Sequence, residues 1–399
     1  MNLAWANPAE TTEFAVAQTE TVRVSNYAKP VAIFLASRIV VFVAIAFSAS
    51  LIPPNHPAGA WNADSTIWHY LLRWDSGWYL AIMRGGYHYV PDSSVQQTVA
   101  FFPLYPALSW CIARIFQIRN SSAALLVSNT ASVAAVLLLF RYVREDHGAR
   151  IADGAVLLFS FFPASIFLSA GYAESLAMAL TMAAFIDLGR GRYLRAALWC
   201  GLLTAARPTG IVLFAPLAYC IYTRGRHTPA AAIRMLIGLG IAGSGLAAFF
   251  VYLGVRFGAP LAFITSENGW NSGAHWSLKS GLYAFAGLAD LFRSLPMPST
   301  LDPWWFVAFA AVIFAMRSQL SVPELLMAGV SFAFLAATRL CDGHLFGSMG
   351  REMIVIFPAY IAAAKLLGKR PWLMAGVCIW MAIGLFWYSA LFAQWHWVD

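Results

Sequence analysis

Charge is what this sequence most lacks. Only 11% of its 399 residues are Asp, Glu, Lys or Arg while 60% are hydrophobic, and no soluble domain buries so large an apolar share. The same imbalance excludes a disordered chain, which needs the reverse ratio. Cysteine is scarce and scattered: Cys111, Cys200, Cys220, Cys341 and Cys378 form no CxxC pair and mostly interrupt apolar runs. Neither a disulfide framework nor a zinc site is encoded by such spacing. No P-loop, GxGxxG, HExxH or GxSxG motif stands in a usable context, so ATP-driven transport and serine or zinc hydrolysis lose support. An internal repeat is missing too, and with it the inverted-repeat signature of many transporters. Residues 1–29 lack the apolar core and small-residue cleavage site of a secretory signal and read as a polar tail.

What is present is apolar sequence in long runs, with 16 Trp, 29 Phe and 15 Tyr. The run 30–51 is about 22 residues long, enough at roughly 1.5 Å per residue to cross a hydrocarbon core of about 30 Å. Further runs lie at 121–143, 151–170, 173–189, 196–222, 231–256, 303–318, 322–340, 352–367 and 372–395. They predict an all-α polytopic membrane protein of about 9–12 membrane helices, with 30–399 as one integral membrane domain. The net charge of +8 comes from Lys and Arg spread between these runs, which fits anchoring at anionic lipid and does not fit nucleic acid.

Loop charge orients the runs, because basic residues of short loops are retained in the cytoplasm. Three basic loops go inside: Arg141, Arg144 and Arg150; Arg190, Arg192 and Arg195; Lys365, Lys369 and Arg370. The segment 196–222 is basic on both flanks and holds Arg207-Pro208 at its middle, so it reads as two re-entrant half-helices with a proline break. The loop 52–100, the turn near 170–173, the stretch 257–302 and the loop 341–351 then face outward. The run 101–116 is short, carries Pro103 and Pro106, and is expected to be only partly embedded.

Candidate chemistry gathers in those outward segments. Residues 73–86 read as a short juxtamembrane helix stopped by Gly85 and Gly86, with Asp75 at its start, where the helix dipole favours an ionised carboxylate. Trp74 and Trp78 would dip into the bilayer surface from one face, while Asp75 and Tyr79 share another. Asp75 is either a helix cap or an acid held at the mouth of a lipid-facing cavity, and the residues alone leave both open. The tryptophans, including Trp395 and Trp397, are mainly explained as an interfacial belt, with substrate stacking as the minority account for Trp74.

Ionisable residues near membrane depth are costly unless paired or lining a cavity. Arg207 sits at the half-helix break, where it faces either a structural carboxylate or a polar ligand. Glu174 opens a helix just past an outward turn, as a first-turn acid would. Arg351 stands at an outside helix end, where a guanidinium fork can meet phosphate oxygens. Asp342 and His344 share its loop, and a lone histidine without a second spaced ligand points to no metal site.

Taken in order, these stretches resemble a known family. Arg73-Trp-Asp-Ser-Gly-Trp-Tyr with Arg84-Gly-Gly-Tyr87 and Ala100-Phe-Phe-Pro-Leu-Tyr-Pro106 is similar to the first external loop of the PIG-V-like mannosyltransferases. Three further stretches continue the match: Phe161-Phe-Pro-Ala-Ser-Ile-Phe-Leu-Ser-Ala-Gly-Tyr-Ala-Glu-Ser-Leu176, Leu203-Thr-Ala-Ala-Arg-Pro-Thr-Gly210, and Arg351 before Ile356-Phe-Pro358. The resemblance implies the C-type glycosyltransferase (GT-C) fold, with juxtamembrane helices in the catalytic loop 52–100 and an active site on the non-cytoplasmic face. It implies a polyprenyl- or dolichyl-phosphate-linked sugar as donor, mannose foremost, and a glycan, glycolipid or protein acceptor. It implies Asp75 as the catalytic acid. No cofactor is required, and a divalent cation is left open.

The residues agree with that chemistry. Asp75 would accept the acceptor's hydroxyl proton during in-line attack with inversion, and Arg351 and Arg207 would clamp the donor phosphate. Trp74, Tyr79, Tyr105, Glu174, Asp342 and His344 are the candidate sugar or acceptor contacts. Arg73, where a histidine is common, and the short loops point to a bacterial or archaeal member in a plasma membrane, acting on its external or periplasmic side. The competing reading is a transporter or flippase of a lipid-linked or amphipathic solute, which demands a continuous polar route through several helices.

Overall fold

Apolar runs become helices wherever backbone groups must be satisfied within the segment, and proline and glycine decide where each helix stops. The computed structural model describes residues 25–55, 67–224, 229–270, 302–339 and 349–398, and among these every regular element is helical. In chain order they are α1 (Ser25–Leu51), α2 (Ser76–Gly85), α3 (Leu104–Ile115), α4 (Asn120–His147), α5 (Ala149–Phe161), α6 (Glu174–Gly189), α7 (Tyr193–Ala206) and α8 (Phe214–Arg224). There follow α9 (Pro229–Ala242), α10 (Ser244–Phe257), α11 (Ala262–Ser266), α12 (Asp302–Met316), α13 (Val322–Arg339), α14 (Met349–Met353), α15 (Phe357–Leu367) and α16 (Pro371–Ala393).

Three described helices, α1, α4 and α16, are continuous, long and apolar enough to cross a membrane, and α9 with α10 makes a fourth span if a 52° bend is allowed. Two of the other expected crossings are shorter because the chain breaks inside them. The run 151–170 stops at Phe162, which is extended (φ −54°, ψ 133°) ahead of Pro163, and continues as a 3₁₀ turn over Pro163–Leu168. The run 196–222 divides at Arg207 (φ −154°, ψ 145°) before Pro208, as the proline break required. The stretch 101–116 forms only the 12-residue α3.

The molecule is integral to the membrane, and its surface shows how it meets lipid. Leu35, Ile39, Val43, Phe47 and Leu51 repeat every fourth residue along α1 and are all exposed. Trp372, Ile379, Trp380, Ile383 and Trp387 are likewise exposed along α16. By contrast α6 is buried on nearly every face, with α4 and α7 packed against it. Small residues allow close approach at the α7–α10 crossing, where a Cβ on Gly245 would lie 2.1 Å from the Gly201 carbonyl oxygen.

The two ends of this bundle differ in the charges they gather. At one end the basic loops meet one another: Arg190 pairs with Glu145 at 2.8 Å, Arg150 donates to the Gly368 carbonyl, and Arg195 reaches Asp187 at 3.2 Å. Nearby, the wholly buried pair His147 and Glu324 lies 3.0 Å apart, with the Tyr142 hydroxyl donating to the same carboxylate at 3.0 Å. The opposite end gathers α2, the start of α6, the Arg207 break and α14.

Candidate active site

Each charged group here is placed by a local break in helix. Gly86 at φ 74° terminates α2 and Asp75 precedes its first residue, as the sequence predicted. The Asp75 side chain makes no capping hydrogen bond, however. It turns instead to Arg351, whose Nη1 donates to Asp75 Oδ2 at 2.5 Å. The cap reading of Asp75 therefore fails on geometry. Its position is fixed from two sides. Trp74 holds φ 51°, a left-handed conformation that costs a bulky residue about 1–3 kcal/mol and marks a site held by its surroundings. The Tyr172 hydroxyl accepts the Asp75 N–H at 3.1 Å and donates to the Arg73 carbonyl at 3.2 Å, which pins the strained turn to the segment before α6.

The remaining charges extend this pair into a chain. Adjacent residues on a helical turn point about 100° apart, so Arg351 and Glu352 of α14 reach different partners. Arg351 Nε lies 3.3 Å from Glu174 Oε1, Arg207 Nη1 donates to the same oxygen at 2.5 Å, and Arg207 Nη2 donates to Glu352. These five side chains are between 3% and 14% exposed, so solvent screens them little. Three carboxylates face two guanidiniums, which leaves one surplus negative charge when all are ionised. Burial alone would lower the Arg351 pKa, but Asp75, Glu174 and Glu352 together hold it well above its ordinary value. Burial, with Asp75 and Glu174 adding to it, raises the Tyr172 hydroxyl well above its usual range, so it acts as a neutral donor and acceptor. Tyr79 is shifted the same way by burial and by Glu174.

Aromatic rings wall the cluster. Phe167 and Tyr172 lie beneath the Arg351 guanidinium at 5.7 and 5.6 Å. Tyr79 contacts Phe101 and Tyr105 edge-on at 5.2 and 4.8 Å. Tyr105 is fully buried and its hydroxyl donates to the Ala124 carbonyl at 2.8 Å, so it supports Tyr79 from behind instead of reaching a ligand. Trp74 packs against Trp397 and Trp395 at 4.9 and 5.6 Å. The belt assignment of Trp395 is corrected, since it is buried, at 2% exposure, between Trp74 and Arg73. Arg73 itself serves the fold, donating to the Ala393 carbonyl at 3.1 Å.

Of the residues singled out by sequence, Asp75, Glu174, Arg207 and Arg351 come together in one network, Tyr79 and Trp74 border it, and Tyr105 lies behind. Asp342 and His344 lie outside the described residues. Sequence reasoning missed Glu352 and Tyr172. Glu352 was concealed as the neighbour of a residue already chosen. Tyr172 sat within the quoted Gly-Tyr-Ala-Glu stretch and passed as apolar filling. Among the described residues no group of three or more His, Cys, Asp or Glu is arranged to hold a metal ion.

The comparisons with known proteins bear directly on this cluster. Residues 29–225 match the family model Mannosyltransferase (PIG-V). That stretch, which contains Asp75, Glu174 and Arg207, is similar to the family. The GPI alpha-1,6-mannosyltransferase 2 of Rattus norvegicus is 35% identical over 152 residues, covering 36% of this chain and 30% of that protein. That of Mus musculus is 32% identical over 189 residues, covering 41% and 36%. The match thus spans about a third of the length of these curated relatives. Among solved structures, ArnT from Cupriavidus metallidurans bound to undecaprenyl phosphate aligns over 91% of this chain and 74% of its own, at 16% identity and a TM-score of 0.49.

Proposed function

We propose that this PIG-V-like membrane protein is an inverting glycosyltransferase of the GT-C type that moves mannose from a polyprenyl-phosphate donor to an acceptor hydroxyl on the non-cytoplasmic face. The observation that carries the reading is the Asp75 carboxylate, which lies in the matched region together with Glu174 and Arg207 and is held 2.5 Å from Arg351 in a nearly enclosed network. In this reading the acceptor oxygen forms a bond to the anomeric carbon and its proton passes to Asp75. The bond from that carbon to the phosphate oxygen breaks, and the polyprenyl phosphate leaves with the electron pair, inverting the centre. A lipid phosphate is already a good leaving group, so orientation and charge compensation are the protein's main tasks.

The charge balance supports an order of events. A surplus negative cluster repels a phosphate unless a guanidinium is released to it. Arg207 offers five N–H donors, and two carboxylates engage only part of them among the described residues. The donor phosphate lands there and draws Arg351 away from Asp75, which leaves the carboxylate able to take a proton. Trp74 and Tyr79 border the space for sugar and acceptor, and Asp342 and His344 remain candidate contacts.

The test is to incubate the purified protein with radiolabelled polyprenyl-phosphate-mannose and membrane extract, and to follow the label into glycan, glycolipid or protein. Transfer by the wild type and its loss, by about 10²–10⁴-fold, in Asp75→Asn is expected. A wild type that transfers nothing, or an Asp75→Asn variant that turns over normally, overturns the reading.

A further inference from the structure

A further buried guanidinium lies outside the network, in the middle of the membrane-spanning helix α1. Arg38 is 6% exposed and forms no ion pair among the described residues. An uncompensated charge at such depth is expensive, so its partners must account for its presence. All five of its N–H donors are satisfied by neutral oxygens. Nη1 donates to the Ser165 carbonyl at 2.7 Å and the Ser169 hydroxyl at 2.9 Å. Nη2 donates to the Ser160 carbonyl at 3.0 Å and the Ser165 hydroxyl at 2.8 Å, and Nε to Ser37 at 3.2 Å. Four of the five acceptors lie between residues 160 and 169, where α5 has been broken by Pro163. The Ser160 carbonyl at the end of α5, with the negative end of that helix's dipole, and the Ser165 carbonyl of the following 3₁₀ turn stand in for the missing carboxylate.

That broken segment leads straight into the active site. Asn129 fixes the Ser169 carbonyl at 3.0 Å, Ser128 fixes the Ala170 carbonyl at 2.6 Å, and the Gly171 N–H reaches the Leu71 carbonyl at 3.0 Å. Tyr172, which bridges Arg73 and Asp75, comes next, followed by Glu174. We infer that Arg38 is a positioning residue: it locks the strap 160–172 so that Tyr172 holds the Asp75 turn in register with Arg351. This rests on the proposed function insofar as turnover is the readout, so a second readout independent of catalysis is needed.

The experiment compares the wild type with Arg38→Lys, which keeps the charge but offers a single point of donation, and with Ser169→Ala, which removes one strap contact. Transfer kinetics are measured beside the fluorine resonance of 3-fluorotyrosine placed at position 172, with the same label at position 142, at the far end of the bundle, as control. Arg38→Lys is expected to lower kcat by on the order of tenfold or more at a donor KM within about twofold of the wild type. It should shift or broaden the 172 resonance alone, and Ser169→Ala should do the same to a smaller degree. Unchanged kcat and an unchanged 172 resonance in both variants overturn the inference. Joint movement of the 172 and 142 resonances also overturns it, by showing a general fold anchor. Should Arg38→Lys fail to fold, Ser169→Ala decides by the same two readouts. If the wild type transfers no sugar and the 172 resonance still responds selectively, the proposed function fails and the positioning role stands.

Discussion

The five-residue charge network makes an asymmetric prediction about Asp75 and Arg351, although the two groups form one pair. Replacing Asp75 by Asn leaves Arg351 beside Glu174 Oε1 at 3.3 Å and reduces the surplus negative charge to zero. The loss is then close to that of one hydrogen bond, about 1 kcal/mol. Replacing Arg351 by Met removes a cation from both Asp75 and Glu174 and leaves Arg207 alone against three carboxylates, a surplus of two. Removing one partner of a buried pair and stranding the other costs about 3–5 kcal/mol. Thermal unfolding of the detergent-solubilised protein, followed by loss of the monodisperse chromatographic peak, compares the two. Asp75→Asn is expected to unfold near the wild-type midpoint while lacking turnover, and Arg351→Met clearly below it. An Asp75→Asn variant less stable than Arg351→Met would refute the charge accounting, since it would mean that the carboxylate, and not the cation, is the member in short supply.

Further outcomes follow from single contacts. Tyr172→Phe removes the hydroxyl that accepts the Asp75 N–H and strands that part-buried donor, at about 1–3 kcal/mol; if this falls on site geometry, kcat drops roughly 5- to 150-fold, read from initial rates at saturating donor. Gly245→Ala places a methyl 2.1 Å from the Gly201 carbonyl oxygen and 2.5 Å from the Ala205 nitrogen, backbone atoms that cannot yield. The α7–α10 crossing must open, so a destabilisation of about 1–3 kcal/mol or more is expected, whereas Gly376→Ala, with open space at the same position, should melt like the wild type.

The residues that sequence reading identified are those whose chemistry conflicts with their surroundings. An ionisable group in an apolar run is conspicuous because it must be paired, which is how Arg207, Glu174 and Arg351 were found. Asp75 was conspicuous as the acid beside interfacial aromatics. Arg38 had the same claim to notice, but its partners are serine hydroxyls and backbone carbonyls, which leave no pattern of opposite charge. Glu352 was hidden by adjacency, because only the helical turn of α14 shows that consecutive residues face different partners. The count of continuous membrane helices was harder to read, since a proline such as Pro163 can kink, break or end a span according to what receives the freed carbonyls.

Hydropathy and loop charge, properties of composition along one dimension, by themselves determined that the chain is helical, lies in a membrane and divides into a basic end and an end rich in motifs. Residue type likewise determined where helices stop at Arg207 and Gly86, whereas the break at Phe162 within the run 151–170 came only from the structure. Only the tertiary structure decided that Asp75 is paired instead of capping, and that Arg207 reaches the same network as Arg351 from a distant segment. The reason is physical: a buried charge is stabilised by whatever lies within a few ångströms, and that neighbour is chosen by packing across sequence separations of more than a hundred residues.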